Sequence, residues 1–150
     1  MSDAAHELVR RQFEEVFNRQ DFDLCEEIFA EHYVEHAVAP FRDSEPGAVN
    51  GPTHAKGVVQ WLRSQFPDLQ MTVEAVVAEG EMVAALVRSE GTNTGSLNGV
   101  MPPTGKPFSS RQSHWYRVVD GKLAEHWATR DDLPTMLQLG VIQAPAGPPR

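Results

Sequence analysis

Gln112, His114, Trp127 and Asp131 bring an amide, an imidazole, an indole and a carboxylate into two short segments, VVDGKLAEHWATRDD and the residues just before it. Side chains of these types suit general acid–base work: a carboxylate or imidazole takes and returns a proton, while amide and imidazole donors stabilise a developing oxyanion. A free aspartate, with a pKa of about 3.9, is too weak a base, but burial against an indole disfavours its charged form and raises that value. Asp131 is thereby a candidate for moving protons, with His114 and Gln112 as electrostatic stabilisers beside it and Trp127 in the pocket wall.

The device that would assemble these residues is Asp120-Gly121. Both central positions of a type I′ turn need positive φ, and Asp-Gly tolerates this well, so two strands should meet there with Val119 opposite Lys122. Counting outward pairs Tyr116 with Glu125, His114 with Trp127, Gln112 with Thr129 and Ser110 with Asp131 on one face, because strand side chains alternate. The opposite face then carries Arg111, Arg117, His126 and Arg130, as a solvated or subunit-contacting face would. Asp131 and Asp132 also precede a helix, and either could cap it. Spacing alone leaves cap and chemistry open between the two.

The remaining elements follow from periodicity. Leu8, Val9, Phe13, Val16 and Phe17 predict an amphipathic helix from Ala4 to Arg19, and Asp21 a second, shorter one carrying Leu24, Cys25, Ile28 and Phe29. The segment EHYVEHAVA reads as extended, and the Pro- and Gly-rich stretch Pro40 to Pro52 as a connection. Thr53 opens a helix that ends at Phe66-Pro67. Its Trp61, like Phe13 and Phe17, belongs to core or pocket wall. Four strands are expected between Leu69 and Arg130, then a helix from Leu133 to Leu139 stopped by Gly140. Helices first and a mostly antiparallel sheet afterwards give an α+β fold with a pocket between the layers. Residues 1–142 form one domain, and 143–150 a flexible tail.

Composition narrows the function. A net charge of −8 disfavours nucleic acid and anionic membrane partners. The single Cys25 excludes an internal disulfide and reads as a buried thiol, and no apolar run suits a membrane span or a secretion signal, so a cytoplasmic protein is expected. His32 and His36 have metal-ligand spacing but no accompanying HExxH pattern, so no metal is expected.

With the elements placed, FPDL at Phe66–Leu69, GTNTGSLNGVMPPTGK at Gly91–Lys106, DGKLAEHW at Asp120–Trp127 and DLPTMLQLG at Asp132–Gly140 resemble the SnoaL-like polyketide (ester) cyclases of the nuclear-transport-factor-like superfamily. The resemblance implies a cone-shaped α+β barrel whose curved sheet wraps long N-terminal helices around a deep pocket, and a homodimer joined through the outer face of the sheet. It further implies a cofactor-independent, aldol-type acid–base reaction on a hydrophobic small molecule, with Asp131 matching the carboxylate that follows EHW and carrying both proton transfers, His114 and Gln112 stabilising the enolate, and the cap left to Asp132. Tyr33 and His36 would border the pocket. Asn93 joins these pocket candidates and stands where relatives often carry histidine, GTHTG in place of GTNTG. Two other readings share the fold: an epoxide hydrolase, which would need Arg111 beside two carboxylates, or an isomerase; and a non-catalytic small-molecule-binding protein.

Overall fold

The computed structural model describes residues 2–38 and 45–149, so residues 40–44 of the expected Pro40–Pro52 connection lie outside the described residues. Helix α1 (Ser2–Arg11) continues without a break into a π-helical stretch, Gln12–Asn18. The stretch buries Gln12, Phe13, Val16 and Phe17. Its end is held by Arg63, whose guanidinium donates to the Phe17, Asn18, Pro67 and Leu69 carbonyls, a cation placed at the negative end of a helix. A turn at Phe22–Leu24 leads into α2 (Cys25–Ile28) and strand β1 (Phe29–Glu35). Then come β2 (Ala48–Asn50), α3 (His54–Gln65), β3 (Gln70–Glu79), β4 (Met82–Thr92), β5 (Pro107–Val119), β6 (Lys122–Arg130) and α4 (Asp132–Leu139). Among the described residues no helix is long and apolar enough to cross a membrane.

The six strands form one sheet in the order β2-β1-β6-β5-β4-β3. Neighbours are antiparallel except β1 and β6, which run parallel, and β2 and β3 are its edges, so the curved sheet does not close on itself. Leu8, Val9, Phe13, Val16 and Phe17 from the first helix pack with Ile28, Phe29, Val59, Val83, Val87 and Leu123 in a single core. Buried Cys25 belongs to it. Asn18 ties helix to sheet: its amide donates to the Met71 carbonyl at 2.7 Å and accepts from the Met71 N–H at 2.8 Å, serving β3 as a strand partner would. Gly140, at φ +73°, ends α4 in the left-handed conformation.

The hairpin turn forms as expected, with Asp120 at φ 50° and Gly121 at φ 73°. The register beyond it does not. Val118 faces Leu123 but Arg117 faces Glu125, so Ala124 is an extra residue, a β-bulge that advances the rest of β6 by one. Tyr116 is therefore opposite His126, and Gln112 opposite Arg130. The face of β5 is as read from its alternation, and the face of β6 is reversed.

Candidate functional site

A cavity of about 360 Å³ lies between the sheet and the helices, within the size range of small-molecule sites, about 300–1,000 Å³. Its apolar wall comes from Phe17, Phe29, Val58, Trp61, Leu62 and Phe66 together with Leu97, Phe108, Met136 and Leu139. Polar groups are concentrated on the sheet side, where Gln112, His114, Tyr116, His126, Arg130 and Glu35 share the wall.

Those groups are joined in a line. Glu35 grips His126 Nδ1 with Oε1 at 2.8 Å and Oε2 at 3.0 Å; His126 Nε2 meets His114 Nδ1 at 2.9 Å; and His114 Nε2 meets Gln112 Oε1 at 2.8 Å. The parallel register sets Glu35 beside His126, and the bulge brings His126 to the cavity side of β6. Tyr116 stacks on His126 at 4.7 Å and Phe13 meets the His114 ring at 5.1 Å. Burial holds His114 well below the usual histidine range, and the positive potential of His126 and Arg130 adds to this, so the ring is neutral. Burial alone would raise the Glu35 carboxyl, but hydrogen bonds from His126 and the Ala37 amide, with the His54 imidazole 3.7 Å away, bring it down to about 2. Burial pushes the Tyr116 hydroxyl well above the ordinary phenol range, so it remains a proton donor. The Gln12 side chain approaches Tyr116, yet among the described residues Tyr116 Oη and Gln12 Oε1 have no hydrogen-bond partner of normal geometry. Such buried groups are costly unless something completes them, as a ligand oxygen or amide in the cavity would.

The expected site residues divide. Gln112, His114, Tyr33 and Trp61 line the cavity. Asp131 does not: it borders a shallow surface depression with Arg88, Ser109, Ser110, Arg111 and Pro134, because β6 beyond the bulge is out of the assumed register. Asp132 faces the cavity instead, paired with Arg130 at 3.2 and 3.3 Å. Neither aspartate gives α4 a cap through its side chain at the N-cap position, which Asp131 occupies. Trp127 is turned to the outer face for the same reason and stacks on His36 at 4.9 Å, so neither borders the cavity. Asn93 is fully buried but not in the wall. Its amide donates to the Gln65 and Gly95 carbonyls and accepts from the Thr104 N–H, which fastens the loop between β4 and β5 to the end of α3. Arg111 is exposed and bound to Glu74 at 2.8 Å, so no arginine between two cavity carboxylates is assembled from it.

Glu35, His54, Tyr116, His126, Arg130 and Asp132 were not among the expected site residues. Tyr116 was within reach, since Gln112, His114 and Tyr116 alternate on one strand face. Glu35 and His126 were not, because their meeting depends on a parallel pairing of distant strands and on one inserted residue.

The SnoaL-like polyketide cyclase family model matches residues 7–139. The chain belongs to that family. Its relatives include the nogalonic acid methyl ester cyclase of Streptomyces nogalater, 37% identical over 97 residues, which cover 64% of this chain and 72% of that protein. The aklanonic acid methyl ester cyclase of Streptomyces peucetius is 34% identical over 141 residues, 89% of each chain. Among solved structures, wild-type IdmH from Streptomyces antibioticus superposes with a TM-score of 0.77 at 32% identity, covering 90% of this chain and 97% of that one. The SnoaL-like family thus accounts for the α+β architecture that encloses the cavity.

Proposed function

We propose that this SnoaL-like chain closes a ring in an apolar polyketide methyl ester, of the kind named for its Streptomyces relatives, by side-chain acid–base chemistry. The observation that carries this reading is His114, neutral and buried in the cavity wall between Gln112 and Tyr116. A carbon acid between a ketone and an ester replaces Gln112 at His114 Nε2 and loses its proton there, leaving the electron pair as an enolate. The freed Gln112 amide and the Tyr116 hydroxyl donate to the enolate oxygen. The enolate carbon attacks a carbonyl carbon of the same molecule, and the resulting alkoxide takes back the proton from His114. Nothing is gained or lost, so the product is an isomer of the substrate. Asp131 has no part in this scheme because it borders a different surface.

Incubating the protein with aklanonic or nogalonic acid methyl ester should yield a product of unchanged mass and altered chromatographic retention, and His114→Ala should lose it. Recovery of both esters intact from folded wild-type protein would overturn the proposal, and tight retention of unreacted ester would favour a binding protein. The working form is proposed to be a cytoplasmic homodimer joined through the outer sheet face. Exposed Val77, Leu86 and Trp115 support this contact, and sedimentation of Trp115→Asp as a monomer would test it.

A further inference from the structure

The two imidazoles are joined edge to edge. Their rings lie within 8° of coplanarity, and the 5.2 Å between centroids follows from an in-plane N···N contact of 2.9 Å. A carboxylate only accepts, so the Glu35 contacts fix a proton on His126 Nδ1. Two proton inventories then satisfy every link. In the first, His126 Nε2 accepts from His114 Nδ1–H, and His114 Nε2 offers a lone pair towards Gln112. In the second, one proton richer, His126 Nε2 donates to His114 Nδ1, and His114 Nε2–H donates to the Gln112 carbonyl. Gln112 suits either state by turning its amide over.

We propose that Glu35 and His126 act as positioning residues behind His114, forming a relay that holds the substrate's proton between its removal and its return. This rests on the proposed ring closure. The proton arrives at His114 Nε2 while the Nδ1 proton crosses to His126 Nε2, and both movements reverse when the alkoxide is protonated. The added charge is thereby carried by His126 against the Glu35 carboxylate, away from the apolar wall. Moving it there removes the need to keep a cation on buried His114, which the nearby Arg130 charge opposes. The groups facing the relay are few. His54 Nε2 stands 3.7 Å from Glu35 Oε2, and the Ala37 N–H donates to Glu35 Oε1 at 2.8 Å. The rings of Tyr33 and Tyr116 lie roughly parallel to that of His126, at 6.5 and 4.7 Å. Asp132 and Glu45 line the same cavity, with Asp132 paired to Arg130. Glu35 is the carboxylate in direct contact with the imidazole pair.

The test uses the intact protein. In ¹⁵N-imidazole NMR spectra recorded during acidification, the added proton should appear on His126, with both its nitrogens protonated and His114 still neutral. Charge appearing first on His114 would overturn the relay, whether or not either ester is turned over. Glu35→Gln keeps the acceptor for His126 Nδ1–H and removes the charge. It should lower kcat at least tenfold with little change in KM, and convert a curved proton inventory in mixed H₂O and D₂O into a linear one. Wild-type kcat and an unchanged inventory in that variant would overturn the relay. If the wild type cyclises neither ester, the ring-closure reading fails, while the NMR result still decides where the proton resides.

Discussion

Glu35 and His126 are register partners across the parallel β1–β6 pair, and the carboxylate holds the imidazole with both oxygens, at 2.8 and 3.0 Å. The contact joins residues 91 positions apart in the chain. It makes the polar wall of the cavity a product of the fold rather than of one hairpin.

The first prediction concerns His114. General acid–base catalysis contributes about 10²–10⁴-fold, so His114→Ala should lower kcat for ester cyclisation by about that factor. Gln112→Ala should lower it less, about tenfold or more, through loss of one enolate donor. Steady-state kinetics decide this, and a His114→Ala enzyme within threefold of wild type would remove the imidazole from the chemistry.

Asp131 and Asp132 give a contrast between adjacent carboxylates. Asp131 lies outside the cavity and Asp132 within it, paired with Arg130. Asp131→Asn is expected to leave kcat/KM within about twofold, because surface changes away from the site cost little. Asp132→Asn should raise KM by disturbing the Arg130 pair at the wall. Strong loss in the Asp131 variant with normal activity in the Asp132 variant would reverse the assignment.

Two buried groups set the response of stability to acid. Burial keeps His114 below its ordinary value of 6.5, so below that pH the unfolded chain binds a proton that the folded chain refuses, and stability falls. Glu35, held at about 2 against an ordinary 4.5, adds stability that is complete above pH 4.5 and disappears as pH falls toward 2. The carboxylate's share is on the order of 3 kcal/mol. Thermal midpoints measured from pH 7 to pH 3 should therefore decline in two stages. Glu35→Gln should flatten the lower stage, and a wild-type midpoint that holds level from pH 7 to pH 3 would refute both contributions.

Gly95 supplies a packing prediction. A Cβ built there would stand 1.7 Å from the Ser64 carbonyl oxygen, which is backbone and cannot yield. Gly95→Ala should cost about 3 kcal/mol in urea denaturation or detach the loop from α3, because overpacking of this kind forces the backbone to move.

Much of this molecule was legible in the residues. The Asp120-Gly121 turn, the alternating face of β5, the four-strand run and the helix stopped by Gly140 all rest on local rules, and local rules sufficed for them. Gln112 and His114 were placed correctly against the cavity for the same reason. What failed was the extension of the turn's register through β6: Ala124 carries no signal that it is supernumerary, and one extra residue exchanges the two faces of a strand. Trp127 and Asp131 were misplaced by that single step, and His126 was assigned to the outside. Glu35 needed knowledge of a parallel neighbour far along the chain. Asn93 was read as a pocket residue from its position in a motif, whereas its three hydrogen bonds serve the loop.

The loop that Asn93 fastens bears on how such a protein can change its clientele. Leu97 on that loop and Trp61 and Gln65 on α3 are all cavity residues, and the Asn98 N–H donates to Gln65 Oε1 at 2.9 Å, so the loop is clasped to the helix end. The residues of the proposed relay come from β1, β5 and β6 instead. Sequence drift in the clasped loop can reshape the chamber for a bulkier or smaller guest while the reactive wall stays as it is. The clasped loop thus offers a way to tune guest size without touching the proposed relay.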